Sequence, residues 1–313
     1  MDLPTRSTAL SLPDGYTVRA VRSDDAERVN ELIVAADVAV QGWSESDPDE
    51  LGRWWRMLDD LGRNTWLIEH DGTIAAYGDV LPHGDVMESD GFVHPDHIGR
   101  GLGSWLRGAM ESRARELRLP RVHTFCLAPD ARAQQLFAAF GMREVRRYYR
   151  MVIDLDDAPA PPDVPRGIRI ATFRREDAAA FHHAINEAFA DEWNFVPKPF
   201  DEWVERRLND PDTDTGLWFV AWDGDEIAGA SRCDPSRFGM GWIGALAVRE
   251  RWRRRGVGLA LLRHTFRVFF GRGQRRVGLG VDATNPTGAT RLYERAGMRV
   301  AYESISFAKE LPQ

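Results

Sequence analysis

An internal repeat constrains the fold of this 313-residue chain more than any other feature of its sequence. Gly15 and Gly167 follow similar proline-containing starts, and each precedes a short β-prone run. Gly72 and Gly224 each follow an aspartate between two β-prone runs, which predicts one hairpin in each half. Both pairs of glycines are separated by 152 residues. This period is far too long for a solenoid, so the sequence predicts two copies of one module.

The boundary between the copies is predicted at the segment Asp154 to Pro165, which is rich in proline, alanine and aspartate. Such a composition does not continue a helix or a central strand. The length also favours two domains of about 150 residues, and the hydrophobic content of 43% is sufficient for two cores. We therefore predict a first domain at 1–155, a linker at 156–165 and a second domain at 166–313.

Each half contains a strand that leads through a glycine-rich turn into a helix. In the first half the turn is 99–103, and in the second half it is 253–258. Apolar residues at helical spacing, from Leu259 to Phe269, predict an amphipathic helix after the second turn. Closely spaced glycines before a helix allow a phosphate to approach backbone N–H groups at the positive end of the helix dipole. Neither a P-loop lysine nor the full dinucleotide-binding spacing is present.

The second turn, Arg253-Arg254-Arg255-Gly256-Val257-Gly258, follows a strand of the Leu-Ala-Val type, Leu246 to Val248. This combination resembles the GNAT superfamily of acyl-CoA N-acyltransferases, and the two copies together cover nearly the whole chain. The resemblance implies an α+β fold of two tandem GNAT-like domains. Each domain is expected to contain a mixed, mostly antiparallel sheet flanked by helices. A basic run on a solvated surface is the alternative reading of the arginines alone.

The resemblance implies that the second domain binds acetyl-CoA as the acyl donor. The strand would pair with the pantetheine arm, and the backbone amides of the turn would hold the pyrophosphate. The expected acetyl-CoA contacts are Leu246, Ala247, Val248, Arg253, Arg254, Arg255, Gly256, Val257, Gly258, Leu259, Ala260, Asn285 and Tyr293.

A second motif, Val281 to Met298, resembles the final strand and helix of the superfamily. The resemblance implies that Asn285 contacts the pantetheine arm and that Tyr293 lies beside the sulfur. A thiolate that leaves a thioester requires a proton, and a positioned phenol can supply it as a general acid. The alternative is that Tyr293 is only a core aromatic at helical spacing.

The first copy departs from this pattern at three positions. Ile98, Pro129 and Phe137 stand at the positions equivalent to Arg253, Asn285 and Tyr293. Phenylalanine cannot donate a proton, so we predict that the first domain is not catalytic. The glycines of the first copy either bind an acyl-CoA or are present only because the fold requires a tight turn there. The residues that would bind an acyl-CoA there are Phe92, Val93, Arg100, Gly101, Leu102, Gly103 and Ser104.

The general base and the acceptor pocket are less clearly marked in the sequence. An ammonium acceptor loses a proton before it attacks, and a carboxylate is the usual base. The strand before the second turn contains no acid. The candidates for the base are Asp234, Asp191 and Glu192, and the alternative is that each is an ordinary surface acid. Asp191, Trp193 and Phe195 are candidates for the acceptor pocket, since they lie where the superfamily builds it. No metal site is predicted.

These features predict an N-acetyltransferase that acts on the primary amine of a small molecule. The two-copy organisation resembles that of the mycothiol synthases, which acetylate the cysteinyl amine of a small thiol precursor, so that acceptor is an alternative. A non-catalytic acyl-CoA-binding regulatory protein is an alternative of another class. A net charge of −7 argues against nucleic acid as a partner. No segment predicts a membrane span, and we expect a cytoplasmic monomer or homodimer.

Overall fold

A computed structural model describes residues 11–190, 192–193, 195–285 and 287–312 of the chain. These residues form two compact units. The first unit contains the chain up to Arg146 together with Ser304–Gln313, and the second contains Arg147–Glu303. The predicted α+β fold of two tandem domains is confirmed.

The first unit is built from the following elements in chain order. They are β1 (Tyr16–Arg19), α1 (Ala26–Gln41), α2 (Pro48–Met57), α3 (Leu61–Asn64), β2 (Thr65–His70), β3 (Thr73–His83), β4 (Val86–Val93), α4 (Leu102–Glu116), β5 (Arg121–Leu127) and α5 (Ala131–Ala139). Strand β6 (Arg143–Asp154) follows, and most of its residues belong to the second unit.

The second unit continues with an equivalent series. Its elements are β7 (Ile168–Thr172), α6 (Ala178–Phe189), α7 (Phe200–Trp203), a π-helical turn (Val204–Leu208), β8 (Phe219–Asp223), β9 (Glu226–Arg237), β10 (Met240–Val248), α8 (Val257–Gly271), β11 (Arg276–Asp282), α9 (Ala289–Arg295) and the start of β12 (Arg299–Glu310). Both predicted hairpins are present, as β2–β3 and β8–β9.

The two sheets have the same strand order. In the first unit the order is β1-β2-β3-β4-β5-β12, and in the second it is β7-β8-β9-β10-β11-β6. Neighbouring strands are antiparallel except for β4 with β5 and β10 with β11, which are parallel. Each unit therefore has one parallel pair, formed by the fourth and fifth strands of an otherwise antiparallel sheet.

The last strand of each sheet comes from the part of the chain that the sequence assigned to the other domain. Residues 304–310, at the end of the sequence, pair with β5 of the first unit. Residues 148–154, which precede the Pro-rich segment, pair with β11 of the second unit. The compact units therefore differ from the predicted division at 155 and 166, because local composition does not show which sheet a strand joins. The predicted linker, 156–165, lies within the second unit.

Helices cover both faces of the second sheet. Helix α8 presents Leu262, Phe266 and Phe269 to one face, as its apolar spacing predicts. Leu261 joins them in the core, whereas Leu259 is only half-buried. Helix α6 packs Phe181 against Trp218 on the other face, where the two rings are stacked with centroids 5.5 Å apart. Among the described residues, no helix is long and apolar enough to span a bilayer.

Candidate functional site

Strand β10 pairs with its parallel neighbour β11 only near its start. The two strands pair at Gly241 and Trp242, and no pairing is found beyond Trp242 in the described part of the chain. Residues 245–248 remain paired with β9 on the other side. Backbone groups on the open side are therefore available to an added strand or to a ligand with amide groups. This is the strand to which the pantetheine contacts were assigned.

The glycine-rich turn follows this open edge and starts helix α8. Gly256 precedes the first turn of the helix at φ +86°, a left-handed conformation that favours glycine. Gly258 is packed closely, since a Cβ there would lie 3.1 Å from Leu292 and 3.3 Å from Val248. The unpaired N–H groups of the first helical turn thus lie next to the open edge of β10. Such a helix start can bind a phosphate group.

The three arginines of the turn have different environments. Arg253 is half-buried, and its guanidinium donates hydrogen bonds to the carbonyls of Val248 and Ala188, at 3.1 Å each. It therefore ties the turn to β10 and to the residue before the end of α6. Arg254 and Arg255 are exposed. Neither forms an ion pair with the described residues, so both charges can contact an anion.

Asn285 and Glu192 are brought together, although 93 positions separate them in the chain. The Asn285 amide Nδ2 donates to Glu192 Oε1 at 2.7 Å. The Asn285 carbonyl oxygen accepts from the backbone N–H of Thr287 at 2.8 Å, which fixes the orientation of the amide. Burial raises the pKa of Glu192, and the nearby Asp282 charge raises it further, while Asn285 and Arg253 oppose the shift.

Tyr293 lies on α9 and is only 8% exposed. Its side chain belongs to the same core cluster as Leu246 and Val248 of β10. Among the described residues, nothing forms a hydrogen bond with its hydroxyl. Burial raises the pKa of Tyr293, and the Glu192 charge adds to the increase, so the phenol remains protonated near neutral pH. Position and protonation therefore both suit a proton donor.

The remaining candidates differ in their surroundings. Asp234 lies on β9, with its Oδ1 3.9 Å from Arg232 Nη1. Trp193 and Phe195 are half-buried, and the Phe195 ring stacks on Phe189 with centroids 6.1 Å apart. Asp191 lies outside the described residues. No cluster of histidine, cysteine and acidic side chains that could hold a metal is found in the described part of the chain.

The first unit has a similar arrangement around strand β4. It pairs with β5 from Val86 to Ser89 and, within the described residues, not beyond, so 90–93 also form an open edge. Gly101 precedes α4 at φ +86°, and Leu102 is buried while Arg100 is exposed. Phe137, the counterpart of Tyr293, is buried against the ring of Phe307.

Arg232, on β9, was missed by the sequence analysis. Its guanidinium lies against Gly244, within 3.1–3.3 Å of the position of a Cβ there. The register of β10 shifts between Ile243 and Ala245, so Gly244 lies in a β-bulge. Bulges often occur next to functional sites. Nothing in the local sequence distinguishes Arg232 from the other arginines of an arginine-rich chain.

Comparison with known families identifies the class of this protein. The model of the acetyltransferase (GNAT) family matches residues 27–142 and 178–298, which together cover most of both units. The chain therefore belongs to the acetyltransferase (GNAT) family and is an N-acetyltransferase of that type.

Individual relatives agree with this assignment. A mycothiol acetyltransferase of Kineococcus radiotolerans is 33% identical over 250 residues, which are 77% of this chain and 80% of that protein. The crystal structure of a GCN5-related N-acetyltransferase from Sphaerobacter thermophilus has a TM-score of 0.86 and 36% identity, with 96% of this chain and 97% of that chain covered. A tandem GNAT protein from the clavulanic acid biosynthesis pathway shares the fold at a TM-score of 0.72 and 18% identity, with 95% and 99% covered.

Proposed function

We propose that the second unit transfers an acetyl group from acetyl-CoA to the primary amine of a small molecule. The proposal rests on one observation: three features of the second unit lie close together. They are the open edge of β10, the helix start at Gly256 and the phenol of Tyr293, which lacks a hydrogen-bond partner among the described residues. Backbone groups of 245–248 would hold the pantetheine amides, and the turn with Arg254 and Arg255 would hold the phosphates.

The proposed reaction moves two protons through Glu192 and Tyr293. Glu192 takes a proton from the acceptor ammonium, directly or through a water. The free amine nitrogen then forms a bond to the acetyl carbon and releases its second proton to water, and the bond between that carbon and the sulfur breaks. Tyr293 donates its proton to the departing sulfur. Solvent restores both groups, so the products are the acetylated amine and coenzyme A.

Replacement of Tyr293 by phenylalanine tests the role of the phenol. The ring packing is kept while the donor is removed, so turnover should fall by about 10²- to 10⁴-fold. The dissociation constant of acetyl-CoA, measured by calorimetry, should remain nearly unchanged. Full activity of Tyr293→Phe across the pH range would show that another group protonates the sulfur.

Replacement of Glu192 by glutamine tests the base. A carboxylate must be ionised to accept a proton, so kcat/KM of the parent enzyme should rise with pH through the raised pKa of Glu192. The Glu192→Gln variant can still accept a hydrogen bond from Asn285, but it should be slow and lack this rising limb. A pH profile with the same limb in both proteins would assign it to a different group.

The acceptor is tested by a panel of primary amines, including aminoglycosides and cysteinyl thiols. Release of free coenzyme A thiol reports turnover. The similarity to mycothiol acetyltransferases supports a cysteinyl amine as the second candidate acceptor. A clear preference for cysteinyl compounds over other amines would favour that candidate. The absence of turnover with every amine, while acetyl-CoA still binds, would contradict the proposed function.

A further inference from the structure

The Arg232 guanidinium is mostly buried and lacks a strong partner. Its side chain is 15% exposed, and its ion pair with Asp234 spans 3.9 Å, which is too long for a hydrogen bond. Within the residues that the structure describes, it donates no hydrogen bond. A guanidinium has five N–H donors, and a buried charge without acceptors is costly. An arginine in this state is suited to a ligand that supplies the acceptors.

The Arg232 side chain lies next to the proposed acetyl-transfer site. Its guanidinium lies flat against Gly244, in the bulge of β10, and Ala245 is its direct partner across the strands. Ala245 is also the first residue of the open edge. A Cβ at position 244 would lie 3.1–3.3 Å from the guanidinium, which would have to shift by a few tenths of an ångström to accommodate it.

The charges around Arg232 also favour an anion. The pKa of Arg232 is lowered to about 10, mainly by burial and also by the like charges of Arg207 and Arg237, while Asp234 opposes the shift. An arginine with a pKa near 10 is still protonated at neutral pH. Positive charge is therefore concentrated beside β10, and the strand itself contains no acid that would neutralise it.

The first unit shows that the fold does not require an arginine at this position. Three residues before Val248, the strand pair is Ala245 with Arg232. Three residues before Val93, the equivalent strand pair is Asp90 with Asp79. The same place in the two copies thus carries an arginine in one and two aspartates in the other. The sheet itself therefore does not require an arginine there.

We propose that Arg232 is the anion-binding subsite of the acceptor pocket, and that the acceptor is an amine that also carries a carboxylate. The planar guanidinium can bind both oxygens of a carboxylate at once. This inference rests on the proposed function of the second unit and adds the chemical class of its acceptor. Arg232 determines specificity and orients the acceptor, and it transfers no proton.

Matched acceptors test the inference through turnover. Each pair consists of an amino acid and its carboxamide, which have the same amine but differ in charge. The parent enzyme should prefer the acids by about 10- to 100-fold in kcat/KM, mainly through KM. Arg232→Gln should remove this preference, and Arg232→Lys should restore part of it. The exposed Arg174→Gln, elsewhere in the same unit, is the control and should keep the preference.

Binding to the Tyr293→Phe protein separates this inference from the proposed function. Calorimetry with the same pairs, in the presence of acetyl-CoA, measures acceptor affinity without turnover. Tighter binding of the acids, lost on adding Arg232→Gln, supports the subsite even if no pair is turned over. Equal binding of acids and amides, no binding of either, or a preference that survives in Arg232→Gln overturns it. Circular dichroism and thermal unfolding identify a variant that fails to fold, in which case Arg232→Lys decides.

Discussion

The protonation state of a buried group in this protein depends on the groups that it contacts. Asp79 is 2% exposed and accepts a hydrogen bond from the Tyr77 hydroxyl, which in turn accepts one from Trp55 Nε1 at 2.7 Å. Its other oxygen has no partner among the described residues. Burial raises the pKa of Asp79 to about 6, although hydrogen bonds from Tyr77 and Trp54 oppose the increase. The folded protein therefore favours the protonated acid.

A pH-dependent stability follows from Asp79. Its folded pKa lies above its unfolded value, so its contribution to stability is fully present below about pH 4 and is lost as pH rises through about 6. Asp90, the strand partner of Asp79, also has a pKa raised by burial, so the two carboxyls titrate as a pair. Asp79→Asn keeps an acceptor for Tyr77 and should flatten this dependence in denaturant titrations.

Asp25→Asn is the matched control for the Asp79 variant. The Arg19 guanidinium holds the pKa of Asp25 below its ordinary value, so the contribution of Asp25 has the opposite sign. It is present above the unfolded pKa and is lost as pH falls. Asp25→Asn should therefore lose stability mainly near neutral pH. Identical pH profiles for the parent protein and Asp79→Asn would contradict the assignment.

At the scale of elements, the two glycine-rich turns have the same backbone but different expected roles. Gly101 and Gly256 both lie at φ +86°. A valine at either position meets the same backbone strain, of the order of 1–2 kcal/mol. We expect similar decreases in thermal stability for Gly101→Val and Gly256→Val. Only Gly256→Val should greatly weaken acetyl-CoA binding at the catalytic unit and reduce turnover.

Calorimetry and a turnover assay measure this comparison, with each variant serving as the control for the other. Equal loss of turnover in both variants would contradict the prediction that the first copy is not catalytic. Unchanged acetyl-CoA affinity and turnover in Gly256→Val would contradict the assignment of the phosphate site.

Much at this scale could be predicted from the sequence. The hairpins, the turns and helix α8 follow from Asp-Gly pairs, glycine spacing and apolar periodicity, which act over a few residues. The hydrogen bond between Glu192 and Asn285 and the burial of Arg232 could not be predicted. They depend on side chains that come together only when separate elements pack. A local sequence pattern does not indicate which distant residues will meet.

At the scale of the whole molecule, the end of the chain stabilises its first half. Phe307 of β12 is 6% exposed and packs against Phe137, with ring centroids 5.2 Å apart. Phe307→Ala should cost about 3–5 kcal/mol. Hydrogen exchange should show the loss of protection at 11–146 and little change at 166–303. Phe266→Ala, in the core of the second unit, should show the reverse pattern. Loss of protection confined to 166–303 in Phe307→Ala would contradict the unit boundaries.

The sequence by itself determined the two copies, the order of their elements and the family, because these follow from short-range patterns repeated 152 residues apart. Tertiary structure alone decided which sheet each final strand joins. A strand has two edges and pairs wherever a complementary edge is free, so residues 148–154 and 304–310 are assigned by geometry and not by chain order. Tertiary structure also decided which groups lie near the buried charges. A buried charge interacts strongly only with groups that folding brings within a few ångströms of it.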